Sequence, residues 1–107
     1  MEKAVTAAGK TIKLKASALT PRLYRTEFGR DLLIDISAAI SGKAVNCVEI
    51  YENIAYVMAR QAGLSNVSID EWLDSLETNA IYELIPAIID LWMANEETTA
   101  IAKKNKE

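Results

Sequence analysis

The chain has 107 residues, of which half are apolar, and its 12 basic and 15 acidic side chains give a net charge of −3. This length fits one domain with a hydrophobic core of its own. The absence of histidine excludes the commonest general base, the Ser–His nucleophile pair and the usual zinc sites. Cys47 is the single cysteine, so we expect a small buried side chain there and no internal disulfide.

The sequence also bears on location and on the distribution of charge. No apolar run approaches the ~20 residues that span a bilayer, and the first residues lack the apolar region of a secretory signal. We therefore expect a cytoplasmic protein without membrane contact. Residues 1–30 carry seven Lys and Arg against two acidic residues, whereas residues 31–107 carry five against thirteen. Such a chain can pair head-to-tail with its own copies or offer an acidic face to a basic partner, unless both sets are merely solvated.

The N-terminal part is predicted to contain one strand. Residues 1–9 are mixed and rich in alanine, which predicts a flexible tail. Residues 10–16 read KTIKLKA and alternate polar with apolar side chains, the pattern of a half-buried strand. This strand must pair with a strand that the sequence does not reveal, pair with another subunit, or lie along the helices.

The segment that follows carries an amphipathic helical stripe. Thr20 and Pro21 form a helix start, with the threonine hydroxyl as the cap. Gly29 within the stripe predicts a kink, a break into two helices, or close approach of another backbone. Tyr24, Phe28 and Leu32 of this stripe are expected in the core. The large apolar side chains that recur every four residues along it are Tyr24, Phe28, Leu32, Ile36 and Ile40.

Two further helices begin at polar caps. Asn46 and Ser68 each precede a glutamate by three residues, which is the spacing of a capping box. The first of these helices is predicted to run to about Ala62, before Gly63. Trp72 in the second helix is expected to fill the core. The predicted inward face of the first helix consists of Val48, Tyr51, Ala55, Met58 and Ala62.

The most apolar segment of the chain spans residues 81–93 and reads IYELIPAIIDLWM. A helix of this composition is apolar nearly all round, so its own domain or a partner must enclose it. Pro86 should kink this helix or mark a restart. Large apolar and aromatic side chains are the types that anchor interfaces. The predicted partner-binding residues are Tyr82, Ile85, Ile89, Trp92 and Met93.

Together these patterns predict a mainly α protein, a small helical domain of four to five helices with one short N-terminal β-strand. The domain is expected to span residues 10–95. It lies between the flexible tail at residues 1–9 and a charged flexible tail at residues 96–107.

Paired carboxylates give one alternative to an interaction module. Asp31 and Asp35, like Glu49 and Glu52, would share one face of a helix, which would allow a divalent-metal or acid/base site. Solvated surface carboxylates are the simpler interpretation. We therefore expect no enzyme, no metal and no cofactor.

Basic residues give the second alternative, a small nucleic-acid-binding regulator that uses the Lys10–Arg30 region. Arginines beside aromatic side chains are suited to phosphate and to stacked bases. The helices after Gly42 are acidic, however, and no basic recognition helix is evident, so nucleic acid is not the expected partner.

Three blocks occur in a fixed order within residues 10–95. The first contains TPRLY at 20–24 and FGRD at 28–31, and the second reads ENIAYVMA at 52–59. The third contains EWLD at 71–74 and IYELIPAIIDLW at 81–92. In order and spacing, these blocks resemble the tail assembly chaperones of long-tailed bacteriophages, the type found in phages and prophages of Gram-positive bacteria.

This resemblance implies a protein that is not an enzyme. It would bind the tape-measure protein, keep it soluble and help tail tube subunits assemble around it. It would act in the cytoplasm of the bacterial host and be absent from the mature virion. The charge asymmetry further predicts a homo-oligomer in which basic residues of one copy contact acidic residues of the next. The predicted self-association residues are Arg22, Arg25, Arg30, Asp70, Asp74 and Glu77.

Overall fold

A computed structural model describes the backbone of residues 1–105 and the side chains of residues 1–94. Within these residues a two-stranded sheet precedes the helices, in the mainly α arrangement that the sequence predicts. None of the helices in this range is both long and apolar enough to cross a membrane. The elements are β1 Glu2–Ala7, β2 Lys10–Lys15, α1 Thr20–Phe28, α2 Leu32–Ile40, α3 Cys47–Gln61, α4 Ile69–Asp74 and α5 Ala80–Asn105.

The first residues form a strand, so the prediction of a flexible tail at residues 1–9 was wrong. β1 pairs antiparallel with β2, with Lys3 opposite Leu14. Ala8 and Gly9 make the two-residue turn, and both have positive φ as this type of hairpin requires. Leu14 is buried, and β1 packs against α5. A short alanine-rich segment has little strand preference of its own, but pairing with β2 satisfies its backbone groups.

Gly29 breaks the apolar stripe into two helices, which is one of the three outcomes that the sequence allowed. Its φ of +66° is left-handed, and its N–H bonds to the Arg25 carbonyl oxygen at 2.7 Å, which ends α1. Asp31 begins α2, because its Oδ1 accepts a hydrogen bond from Ile34 N at 3.0 Å. The glycine therefore redirects the chain and lets α2 fold back beside α1.

Thr20 lies inside α1 and not at its cap, which corrects the predicted helix start. Its buried Oγ1 accepts a hydrogen bond from Ser17 N at 2.9 Å and donates to Gln61 Oε1 at 2.6 Å. Gln61 Nε2 in turn donates to Ser17 Oγ at 2.6 Å. A buried hydroxyl needs such partners, and here they tie the loop before α1 to the end of α3.

The central helix of the domain is α3, which packs against α1, α2, α4, α5 and β2. The predicted inward face was right for Tyr51, Ala55 and Met58, which are buried, and wrong for Val48, which is exposed. Ala62 is half-buried just past the end of the helix. Ile50, Ile54 and Tyr56–Ala59 are buried as well. A helix with neighbours on several sides buries more than the single stripe that periodicity identifies.

The two predicted caps differ. Ser68 caps α4 as predicted, since its Oγ accepts from Glu71 N at 3.1 Å. Asn46 precedes α3 but makes no side-chain bond to the helix backbone, and its Nδ2 lies 3.5 Å from Glu49 Oε2. Trp72 of α4 is buried as predicted, with its ring centroid 5.9 Å from that of Tyr56.

The last helix, α5, continues through Pro86 without a restart. The domain end predicted at residue 95 falls inside this helix, and the predicted C-terminal tail is helical as far as Asn105. Once a helix has started, each added residue gains a hydrogen bond, and Ala, Glu and Lys favour this propagation. Residues 106–107, the remainder of that predicted tail, lie outside the described residues.

Candidate interaction surfaces

One side of α5 is an apolar stripe that its own domain covers only in part. Leu84, Ala87, Ile88 and Leu91 are buried and hold the helix in place. The stripe beside them, called the α5 stripe below, contains the five predicted partner-binding residues, Tyr82, Ile85, Ile89, Trp92 and Met93. Spacings of three and four residues place them along one side over about 16 Å.

Exposure varies along the α5 stripe. Tyr82 is 56% exposed and Met93 is 39% exposed. Ile85, Ile89 and Trp92 are half-buried and pack against the core. The sequence left open whether this helix would be enclosed by its own domain or by a partner. The structure encloses one side and leaves this stripe partly in solvent.

Charged groups border the α5 stripe. Glu83 and Asp90 are exposed on the outer side of the helix. Lys3 Nζ lies 3.6 Å from Asp90 Oδ2, between two side chains that are both well exposed, so this ion pair contributes little stability. It does show that part of the basic N-terminal region meets an acidic residue of its own chain.

A second apolar face lies on α2. Leu33, Ile34 and Ile40 are 55%, 68% and 40% exposed, although Ile40 belongs to the apolar stripe that the sequence shows. Val45 and Val48, in the loop after α2 and the first turn of α3, are exposed too. Residues 32–40 are apolar on almost every side, so the four-residue spacing did not show which side faces the core. The buried side consists of Leu32, Asp35, Ile36 and Ala39.

A cluster of polar side chains joins α1 to α2 through hydrogen bonds to Asp35. Tyr24 Oη donates to Asp35 Oδ2 at 2.7 Å. Arg30 Nε donates to the same oxygen at 2.7 Å, and Arg30 Nη2 donates to Oδ1 at 2.8 Å. Asp35 is buried, whereas the Arg30 side chain is 55% exposed. This bidentate pair holds the Gly29 turn closed.

These contacts correct one sequence prediction. Asp31 is exposed and caps α2, but Asp35 is buried, so the interpretation of both as solvated surface carboxylates was wrong for Asp35. Arg30, one of the predicted self-association residues, binds Asp35 within its own chain while its side chain stays 55% exposed, so its role between copies remains a prediction. The side chains described contain no group of three or more acidic or cysteine residues arranged to hold a metal ion.

Protonation states follow from the same geometry. The Arg30 hydrogen bonds hold the pKa of Asp35 below its ordinary value of 3.8, against the opposing effect of burial. Burial and then the Asp35 carboxylate raise the pKa of the Tyr24 hydroxyl, so the phenol stays protonated and donates. Asp35 is therefore ionised and Tyr24 protonated around neutral pH, and the hydrogen bond between them stabilises the contact of α1 with α2.

The lowered pKa of Asp35 makes stability depend on acidic pH. The unfolded chain takes up a proton at Asp35 at a higher pH than the folded chain does. The contribution of Asp35 to the free energy of unfolding is therefore fully present above its ordinary pKa and is lost as the pH drops through the lowered pKa. Urea unfolding between about pH 6 and pH 2 should show this loss, and Asp35→Asn should flatten it.

Glu52 provides a control, because its pKa is shifted in the direction opposite to that of Asp35. Partial burial, and then the charge of Glu49, raises the pKa of Glu52 above its ordinary value of 4.5. Its contribution to stability therefore falls as the pH rises through that raised pKa. Glu52→Gln should remove this pH dependence and keep the fall in the free energy of unfolding at acidic pH. If the free energy of unfolding of Asp35→Asn falls in acid as steeply as that of the wild type, the role given to Asp35 is contradicted.

The remaining predicted self-association residues are all exposed. Arg22 and Arg25 lie on α1, Asp70 and Asp74 on α4, and Glu77 in the loop before α5. Lys10 and Lys13 line a groove that also contains Glu71 and Trp72, so β2 and α4 bring opposite charges together within one chain. Pairing between copies remains a prediction for the exposed residues.

The other polar side chains near the surface serve the fold. Tyr56 Oη donates to the Val67 carbonyl oxygen, and Arg60 lies over the Tyr56 ring with Nη1 3.7 Å from Glu27 Oε1. Cys47 is half-buried rather than fully buried, and its Sγ lies 3.0 Å from the Ala44 carbonyl oxygen.

Comparisons of the chain with protein-family models, with curated proteins and with solved structures found no match. The fold and its surfaces define a small, mainly helical protein with partly exposed apolar faces on α5 and α2.

Proposed function

We propose that the protein is a phage tail assembly chaperone that binds the tape-measure protein, keeps it soluble and assists tail tube assembly without being an enzyme. The observation that carries this proposal is the α5 stripe. It presents aromatic, branched and thioether side chains along one side of a helix whose other side is fixed in the core. This is the surface that an amphipathic partner helix needs.

The geometry of the α5 stripe suits reversible binding. Only Tyr82 and Met93 are largely open to solvent, while the three residues between them are already half-buried. The area gained on binding one partner helix is therefore modest, and a chaperone that must later release its partner needs a modest affinity. Glu83 and Asp90 beside the stripe favour partner segments with flanking basic residues.

Several copies would coat a long partner. In this proposal Arg22 and Arg25 of one copy meet Asp70, Asp74 and Glu77 of the next. Such contacts between exposed charges weaken as salt rises. The protein would act with its partner and the tube subunits in the host cytoplasm and be absent from the mature virion.

The nucleic-acid alternative has less support from the geometry. Arg30 is engaged by Asp35, and Tyr24 is buried with its ring centroid 5.2 Å from that of Phe28. The aromatic side chains between the arginines are therefore packed inside rather than presented to bases. A mobility-shift assay with nonspecific DNA at low salt is expected to show no complex.

Co-expression with a helical fragment of a tape-measure protein tests the proposed function. We expect the wild-type chain to keep the fragment in the soluble fraction and to elute with it. The double variant Tyr82→Asp/Met93→Glu should lower the amount of complex at least about tenfold, because both side chains are exposed and reach the partner first.

Leu19→Glu is the matched control. Leu19 is 48% exposed and lies just before α1, away from the α5 stripe, so this variant should retain the complex. The proposal fails if the fragment stays insoluble with the wild-type chain. It also fails if the double variant folds and binds as well as the control.

A further inference from the structure

The exposed face of α2 is arranged symmetrically about one small residue. At 3.6 residues per turn, Ser37 lies at the centre of the side that points away from the buried stripe. Leu33 and Ile34 lie one turn before it, and Ile40 lies about one turn after it. All four side chains are exposed, and they are called the α2 face below. A small residue between larger apolar ones is the pattern that lets two helices approach closely.

We propose that the α2 face binds the α2 face of a second copy of this chain, with the two helices antiparallel across a two-fold axis at Ser37. In this register Leu33 of one copy lies opposite Ile40 of the other, and Ile34 lies opposite Ser41. Each contact then occurs twice, as a closed two-fold interface requires. The proposal uses a different surface from the α5 stripe and does not depend on the proposed function.

Charge complementarity identifies the occupant as a second copy. Asp31 lies at the N-terminal end of the α2 face and Lys43 lies just beyond its C-terminal end, and both are exposed. Antiparallel pairing brings the end of one α2 that begins at Asp31 to the end of the other α2 that Lys43 follows, at both ends of the interface. Parallel helices would instead put Asp31 beside Asp31 and Lys43 beside Lys43, which is unfavourable.

Neighbouring features extend the contact. The backbone N–H groups of Lys43 and Ala44 bond to the Ala38 carbonyl oxygen, which folds the loop back onto the end of α2. Val45 and Val48, both exposed, follow directly and add apolar area beside the face. A face of one nine-residue helix with these additions is small, so we expect a dimer that dissociates in the micromolar range.

Sedimentation equilibrium tests the association. The wild-type chain should shift from monomer to dimer as its concentration rises through the micromolar range. Ile34→Glu should weaken the dimer at least about tenfold, since it places a charge within the apolar contact between the two copies. Leu19→Glu should associate like the wild type. A wild-type chain that is monomeric up to millimolar concentration overturns the proposal, and so does an Ile34→Glu variant that dimerises normally.

Disulfide cross-linking tests the register. In a Cys47→Ala background, Ser37→Cys should form a dimer under mild oxidation, because the two positions meet at the axis. Ser41→Cys lies on the same face, but antiparallel pairing separates the two copies of it by about 12 Å along the helices. It should therefore cross-link at least about tenfold more slowly. Equal cross-linking of both variants indicates parallel helices and overturns the proposal, as does failure of Ser37→Cys to cross-link at concentrations where the chain is dimeric.

Discussion

Replacement of Asp35 by alanine is expected to lower the free energy of unfolding by about 3 kcal/mol. The substitution removes the acceptor of three hydrogen bonds, two from Arg30 and one from Tyr24. The Arg30 guanidinium can return to water, but the buried Tyr24 hydroxyl loses its acceptor, and an unpaired buried donor costs about 1–3 kcal/mol. The lost volume and the loosened Gly29 turn add to that cost.

Urea unfolding at neutral pH measures this effect, with an unchanged dependence on urea as the sign of two-state behaviour. Asp31→Ala is the matched control, because it removes an aspartate four residues earlier that only caps α2, at a cost of about 1 kcal/mol. If the free energy of unfolding falls equally in both variants, the buried cluster is not the main interaction that holds α1 against α2. Tyr24→Phe should fall between them, since it keeps the pair with Arg30.

Deletion of residues 1–8 is expected to lower the free energy of unfolding by about 3 kcal/mol or more, enough to prevent folding if the protein is marginally stable. The deletion removes every backbone partner of β2 in the hairpin and uncovers the side of α5 that β1 packs against. A single remaining strand has nothing else to pair with in the described part of the fold.

Thermal unfolding followed by circular dichroism tests the deletion. The control is the double variant Glu2→Thr/Ala4→Thr, which changes two exposed side chains of β1 and leaves the backbone pairing intact. This control should melt close to the wild type. A deleted chain that melts at the wild-type temperature would instead support a flexible N-terminal tail.

The helices of this protein could be predicted from the sequence because each has its own local signal. Ser68 with Glu71 marks the start of α4, and Gly63 follows the end of α3. The residues of the α5 stripe were singled out from the composition of residues 81–93, because a long apolar run with only two charges must bury more than one side. The exposed fractions of Tyr82 and Met93 depend on which side the neighbouring elements cover, and spacing does not contain that information.

Other features arise only from tertiary contacts. β1 has weak intrinsic preference and exists because β2 and α5 lie beside it. The Arg30–Asp35 pair depends on the left-handed turn at Gly29, which reverses the chain between two residues that are five apart. The Gly-Arg-Asp run between two apolar helical segments is the signal that could have indicated it. The α2 face was missed because residues 32–40 are apolar on nearly all sides.

The contact between β1 and α5 also determines when the chain can fold during its synthesis. The first strand packs against the last helix, and α3 between them is buried from both directions. A nascent chain that lacks α5 would leave this central helix open to water on one side. The domain should therefore remain incomplete on the ribosome until residues near Leu91 have left the exit tunnel.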